Sequence, residues 1–589
     1  MKLRMMLYAV SLCAYTNTSV FASNTVDTAL NTEKYSLVDR HHVSMTYQGV
    51  MYTPESISLG NANSISTGFL VTHRSVGFTG FRSSSFKEVD PYPNITDPDE
   101  HHITFSGDVT ARFKINDDGT YTSLSDLSYT LEKQVNGQLL LTTADGTELL
   151  YTKPEKLAGH NLPSGKIIHA LAPNGFKKTF RLREEAGQRV TIEETNTGYG
   201  IYTDTASVVI DGTTSYIDNI IGLNLSKLKC YSQGCADDKW PKLTLSSRPH
   251  PSNPGPSNRI QTITDPDGVE TEFHRIIPDL SYTDIYGNVT TNGFQFLTKI
   301  VSPGGKTIEY EYKYDIYDDQ KFLGGADVTQ YKVELNRAYS GNDNIGYDFN
   351  NIVSAYGLSK ASSGGYQSFN YADFDLDRGT PEKIDTWNTT IVFSEDWQSQ
   401  IKTYTSKDKS TASSFSYEYD DRGNITKITK DGVYSREAEY PSACSSTNRK
   451  YCNKPIWTSN WSSNGVYHKT NYQYYPAHGG IKKVTHPDNS VEHFYYKKYF
   501  AQYLKSNGQL ANYLDGIYLL DYQTQCHFSK SETCSSDQIT TSYSYEPYNL
   551  NLSSVTTVDS SSSHKLCYQY DDLGRQISEY PLPSSGQCL

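Results

Sequence analysis

The sharpest alternation of apolar and polar positions in the chain runs through FSYEYDDRGNITKITKDG, Phe415–Gly432. Phe415, Tyr417 and Tyr419 share one face of a two-residue period, with Ser416 and Glu418 on the other, which predicts a strand. Asp420-Asp421-Arg422-Gly423 then predicts a tight corner, because Asp accepts from nearby backbone N–H groups and Gly supplies positive φ. Ile425 and Ile428 among Thr and Lys predict the return strand, and Asp431-Gly432 closes it with another turn. One hairpin is marginal in water. Such a unit requires others stacked beside it.

The same order recurs in CYQYDDLGRQISEYP, Cys567–Pro581. Tyr568, Tyr570, Asp571, Gly574 and Arg575 take the places of Tyr417, Tyr419, Asp420, Gly423 and Asn424. A looser form of the pattern appears from about residue 103: apolar alternation, an Asp/Asn/Pro-Gly turn, then alternation ending in an aromatic. Its copies are Gln138–Lys153, Ile167–Leu182, Ile260–Ile276, Phe296–Asp315 and Ile481–Tyr499. The prediction is all-β: consecutive β-hairpins stacked side by side. Phe500–Gly516 is the one helix-like stretch, interrupted at Asn507-Gly508. Asp90–His102 reads as a surface loop.

Y-x-Y-D-x-x-G-R at this spacing, with K-I-x-x-P-x-G-x-x-x-x-Y-x-Y hairpins between its copies, resembles the YD repeat of RHS (rearrangement hot spot) proteins. The resemblance covers most of residues 45–589. Ser44–Val76 is similar to the segment that precedes the repeats in many members. The resemblance implies consecutive β-hairpin repeats forming a spiral sheet or partial hollow shell, in cell-surface interaction or as the housing of a polymorphic toxin system. Many bacterial members follow the shell with a self-cleaving core of DPxGL type and a toxic domain. Here Asp265–Gly268 (DPDG) reads as an internal turn, and the sequence ends at SSGQCL. The expected partner is therefore a downstream RHS core or toxin segment, on this chain or another. The last hairpin then offers an unpaired strand edge.

Composition supports this reading. The 589 residues include 48 Tyr and 41 Gly; Tyr, Thr, Val and Ile favour pleated half-buried surface, and Gly, Asn, Asp and Pro punctuate it. Tyrosine rings are expected to lie along the sheet with hydroxyls reaching water or a polar cavity. Exposed rows of them, Tyr417 and Tyr419 among them, would suit a cell-surface carbohydrate. The net charge of −13 argues against nucleic acid, which selects a basic footprint.

Lys2 and Arg4, the apolar Met5–Tyr15 and Val20-Phe21-Ala22 read as an export signal, residues 1–22. Residues 23–44 read as a leader, and 45–247 as an N-terminal β region. Residues 248–258 (RPHPSNPGPSN) form a Pro/Gly linker or loop, and 259–589 the YD-repeat region. No later stretch suits a transmembrane span. Of nine cysteines, cleavage removes Cys13. The rest form the couples Cys230/Cys235, Cys444/Cys452, Cys526/Cys534 and Cys567/Cys588, and an exported context favours disulfides. Short loops of this kind each contribute about 2–3 kcal/mol.

The chemistry-bearing candidates are few. Asp373–Gly379 (DFDLDRG) has carboxylates at calcium-loop spacing, but Arg378 and Ile384 stand where the EF-hand needs Gly and a bidentate Glu. His41-His42 and His101-His102 read as surface histidines, since neighbours on a strand face opposite ways. No nucleophile elbow, phosphate loop or zinc-protease motif is present. The expectation is a protein with no enzyme activity, no cofactor and no metal. The competing reading is a secreted glycan-binding adhesin or a glycan-active hydrolase, with two carboxylates distant in sequence.

Overall fold

The computed structural model describes most of residues 41–588, without a break over 129–153, 188–210, 258–276, 296–319, 447–526 and 537–583. The export-signal reading lies outside the described residues, as do Cys230, Cys235 and Cys534, and of the leader only residues 41–44 are described.

The chain is built of strands. A single sheet of 31 strands runs from Thr130–Lys133 to Gln576–Pro583, and each strand bonds to its neighbours in chain order. Every pairing is antiparallel except one, where Asp343–Asp348 lies parallel to Gln367–Asp375. Sequential pairing follows from the corners. Gly423 N–H bonds Asp420 O at 2.9 Å and Asp420 N–H bonds Asn424 O at 2.9 Å, with Gly423 at φ 82°. The same three-residue corner, a type I turn followed by a left-handed residue, closes at Gly146, Gly175, Gly268, Gly508 and Gly574.

Bulges recur, and they follow a rule. Opposite Tyr419, Tyr474, Tyr545 and Tyr570 the next strand carries one extra residue near its start; opposite Tyr312 the extra residue, Asn336, lies in the later half of Val328–Ser340. A bulge interrupts the ladder and bends the strand, and repeated bulges curve a sheet. The tyrosine hydroxyls fill the gaps. Tyr419 donates to Ile401 O at 2.8 Å, Tyr440 to Ile425 O at 3.1 Å, Tyr545 to Leu520 O at 2.7 Å and Tyr570 to Leu552 O at 2.9 Å. Each of these carbonyls belongs to the residue facing an aromatic at the preceding bulge: Phe393, Tyr419, Tyr496 and Tyr545 in turn. The hydroxyls thus bind backbone, where the sequence suggested water or a cavity. A buried carbonyl requires a donor, and the ring places one there.

The main core lies where the N-terminal segment crosses the face of the first strands. Val43, Val50, Ile57 and Leu59 pack with Ile201, Ile221, Phe273, Ile300, Leu335 and Ile345. Gly222 permits the approach: a Cβ there would stand 2.8 Å from Ile57 Cγ2 and 3.0 Å from a Leu59 methyl.

Four expectations are corrected. The helix-like stretch is a hairpin, Gln502–Leu504 with Leu510–Asn512. Its Asn507-Gly508 interruption is the corner, with Gly508 at φ 83° and Gln509 N–H bonded to Asn507 Oδ1 at 3.0 Å. Glu100–His102, read as loop, belongs to the strand Glu100–Phe105. His41, read as a surface histidine, is buried, with Nε2 3.3 Å from Asp343 Oδ2 and its carbonyl bonded by Tyr310 OH at 2.8 Å. Arg248 and Pro249, read as linker or loop, sit in the strand Lys242–Pro249, paired to Ile260 and Arg259, so the strands on both sides of the Pro/Gly-rich stretch belong to one sheet.

Candidate functional site: the seam between coils

Side-chain bonds join residues as far as 307 to 352 positions apart. These mark where the later part of the ribbon lies back along the earlier part. Corners on one margin of the later coil dock on corners of the opposite margin of the earlier coil.

The seam begins at Arg449, whose Nη2 bonds Thr142 Oγ1 at 2.6 Å and Glu132 Oε1 at 3.1 Å. Beside it, Asn453 Nδ2 bonds Ala144 O at 3.2 Å. Next, Tyr518 N–H bonds Asn174 O at 2.8 Å, and Lys177 Nζ meets Asp515 Oδ2 at 3.0 Å. The ring of Phe176 there packs against Ala501, Ile517 and Leu550. Farther on, Asn549 Nδ2 bonds Thr197 O at 2.8 Å, and Asn224 Nδ2 bonds Asn549 Oδ1 at 2.9 Å and Asp572 O at 2.8 Å. Asn224, Thr197, Asn549 and Asn551 are all buried. Buried amides of this kind require complete hydrogen bonding, and here each coil completes the other.

The second YD corner closes the seam. Gly60 N–H bonds Leu573 O at 2.6 Å, and Leu573 inserts into the main core. A Cβ on Gly574 would meet the Tyr199 hydroxyl and Gly60 Cα. Burial raises the Tyr199 phenol above its ordinary range, so it stays a neutral donor and acceptor beside Asn551.

The repeat residues take distinct places. Tyr417 and Tyr568 are 8 % and 7 % exposed and belong to the packed face. Their rings therefore offer no free stacking face for a sugar. Tyr419 and Tyr570 are the bulge rings, and burial raises the Tyr419 phenol. Asp420 Oδ1 accepts Arg422 N–H at 3.0 Å and Asn424 N–H at 2.8 Å. Asp571 Oδ1 accepts Leu573 and Arg575 N–H at 2.9 Å each, and Arg575 Nε reaches Asp571 Oδ2 at 2.7 Å. Gly423 and Gly574 carry φ 82° and 78°. Every Asp lone pair in use serves a corner.

The cysteines pin a loop and the last hairpin. Disulfides join Cys444 to Cys452 and Cys567 to Cys588, and Cys526 is disulfide-bonded too.

Two titratable clusters escaped the sequence reading. Arg248, Glu272, His274 and His250 form a chain at 2.7, 3.3 and 3.2 Å. Burial pushes the Glu272 carboxyl up, but Arg248 and His274 together hold it low; burial lowers His274. His274 spends its two ring nitrogens on opposite partners, so the groups do not converge on one point. His478 lies 4.6 Å from the rings of Tyr496 and Tyr518, and burial, with Lys450 and Lys454, lowers it to about 4. Burial also lowers Lys454, to about 8, where it donates to Gly479 O at 2.9 Å. Among the described residues no group of three or more His, Cys, Asp or Glu suits a metal ion, and no helix is long and apolar enough to cross a membrane.

An all-β ribbon of consecutive hairpins, coiled back on itself, is the class this geometry defines. No protein-family model matches the chain, and no curated protein does. Among solved structures, similar chains occur in "Crystal Structure of TcdB2-TccC3-TEV", at TM-score 0.25 and 8% identity over 90% of this chain. Another occurs in "Crystal Structure of TcdB2-TccC3", at TM-score 0.19 and 10% identity over 85% of this chain. The chain spans 27% and 31% of those chains' lengths. At such values the likeness adds nothing to what the strand order itself shows.

Proposed function

We propose that the chain is an exported, non-enzymatic RHS/YD-repeat shell, in cell-surface interaction or as the housing of a polymorphic toxin system. The observation that carries the reading is the docking of one coil's corners on another's across the seam, from Arg449–Thr142 to Leu573–Gly60. Such interlocking makes a wall out of a ribbon only one strand long in width. Tyrosine, aspartate and glycine of the repeat are all consumed in building that wall, and none is left over as a reacting group. The disulfides suit an oxidising compartment, in keeping with export through residues 1–22. A downstream core or toxin segment is the partner that a housing role requires.

The test is expression in a bacterium with a secretory pathway. Mass spectrometry of the exported product is expected to show a mature N-terminus at Ser23 and intact Cys444–Cys452 and Cys567–Cys588 links. A reporter peptide fused after Leu589 is expected to resist protease in the intact shell and to become cleavable when the seam is opened by Asn549→Leu. A reporter cut equally fast in both would remove the housing role and leave surface interaction.

A further inference from the structure

We propose that the Cys444–Cys452 disulfide is a reducible latch on the seam, opened by a dithiol reductant that attacks Cys444 Sγ. This goes beyond a shell role: it shares the Arg449–Thr142 contact with that reading and adds the bridge and the unequal access of its two sulfurs.

The bridge closes a short loop between Ala438's strand, Tyr434–Glu439, and the next, Trp457–Ser459. That loop holds the first seam contacts. Arg449 reaches Thr142 and Glu132, and Asn453 reaches Ala144 O. A Cβ on Gly146 would lie 3.3 Å from Lys450 Cα, so backbone meets backbone there. The loop also grips the neighbouring corner: Lys450 Nζ bonds Ala477 O at 2.8 Å and Lys454 Nζ bonds Gly479 O at 2.9 Å. One covalent clasp therefore shapes a wedge that touches the earlier coil and the adjacent hairpin together.

The two sulfurs differ in access. Cys444 is exposed, whereas Cys452 is 3 % exposed. The Cys567–Cys588 bridge is better shielded, since Cys567 is 0 % exposed and Cys588 is half-buried where Cys444 is exposed. Thiol–disulfide exchange requires access of a thiolate to one sulfur, in line with the breaking bond. Attack falls on Cys444. The incoming thiolate bonds Cys444 Sγ, the Sγ–Sγ bond breaks, and its electron pair leaves on Cys452 Sγ, which takes up a proton. The reductant's second thiol gives up its proton and attacks its own sulfur in the mixed disulfide. The pair then returns to Cys444 Sγ, which is protonated. Two electrons and two protons pass from the dithiol, which ends as a disulfide. The freed loop loses the closure that holds Arg449 and Asn453 against Thr142 and Ala144.

Hydrogen exchange on the full chain tests this, with dithiothreitol as the reductant. Brief reduction followed by alkylation is expected to label Cys444 and Cys452 before Cys567 and Cys588. In that state exchange at Thr142–Thr147 is expected to rise at least tenfold, while Thr195–Tyr199, across a seam segment without a bridge, stays unchanged. Cys444→Ala/Cys452→Ala reproduces the change without reductant. Arg449→Ala, which keeps the bridge, opens the same segment. Labelling of Cys567 and Cys588 first, or unchanged exchange at Thr142–Thr147 once Cys444 and Cys452 are free, overturns the proposal.

Discussion

Single residues in this protein do work that their neighbours cannot share. Tyr419 illustrates it: the ring faces a bulge, and the hydroxyl caps Ile401 O. Removing one partner from a buried pair costs the desolvation of the other. Tyr419→Phe is expected to lower stability by about 1–2 kcal/mol, whereas Tyr434→Phe, at an exposed ring, should be neutral; urea unfolding compares them. Glycine gives a second contrast. Gly268 and Gly574 share a corner geometry, at φ 80° and 78°, but a Cβ at Gly268 meets nothing within 4 Å while one at Gly574 strikes Tyr199 and Gly60. Gly268→Ala is expected to cost about 1 kcal/mol for the left-handed backbone alone. Gly574→Ala should cost at least twice that in the same assay.

At the scale of elements, the hairpin between Tyr474 and Ile481 carries a protonation liability. His478 is held near 4 by burial first and then by Lys450 and Lys454, with Tyr475, Tyr496 and Tyr518 around it. Its unfolded value is near 6.5. The depressed group contributes stability above pH 6.5. As pH falls, the unfolded chain takes up a proton that the folded chain refuses, so stability declines from pH 6.5 down to about 4 and then levels. The size of that decline at pH 4.5 is about 2–3 kcal/mol. His478→Phe is expected to remove this share of the decline when unfolding is compared at pH 7.5 and 4.5. An unchanged slope would place the pH response elsewhere.

Hairpins were legible because their signal is local. Asp420 to Gly423 and Asp571 to Gly574 form corners by contacts within four residues, and period-2 alternation marks the strands between them. Phe500–Gly516 misled for the same reason: loosely spaced Tyr and Leu outweighed Asn507-Gly508, the residues that set the turn. The bulge rule was not legible, because nothing in Y-x-Y-D states that the second ring will find a carbonyl one hairpin earlier. His41 was unreadable for a different cause. Its partner Asp343 stands some three hundred residues on, and polarity alone suggested the surface.

The whole molecule is decided by contacts of that long range. Corners that the sequence presents as simple turns are also the surfaces by which coils meet, as at Asn174–Tyr518 and Gly60–Leu573. Asn549 joins Thr197 and Asn224 in one buried network. Asn549→Leu is expected to leave strand content unchanged by circular dichroism while raising protease sensitivity of the 195–226 and 546–573 segments. Residues over three hundred positions apart lie against each other across the seam. Zero-length carbodiimide coupling followed by mass spectrometry tests it directly. Lys177 and Asp515, 3.0 Å apart, are expected to join as readily as Lys299 and Glu309, a neighbouring-strand pair at 3.3 Å. Coupling of Lys299 to Glu309 with none between Lys177 and Asp515 would contradict it.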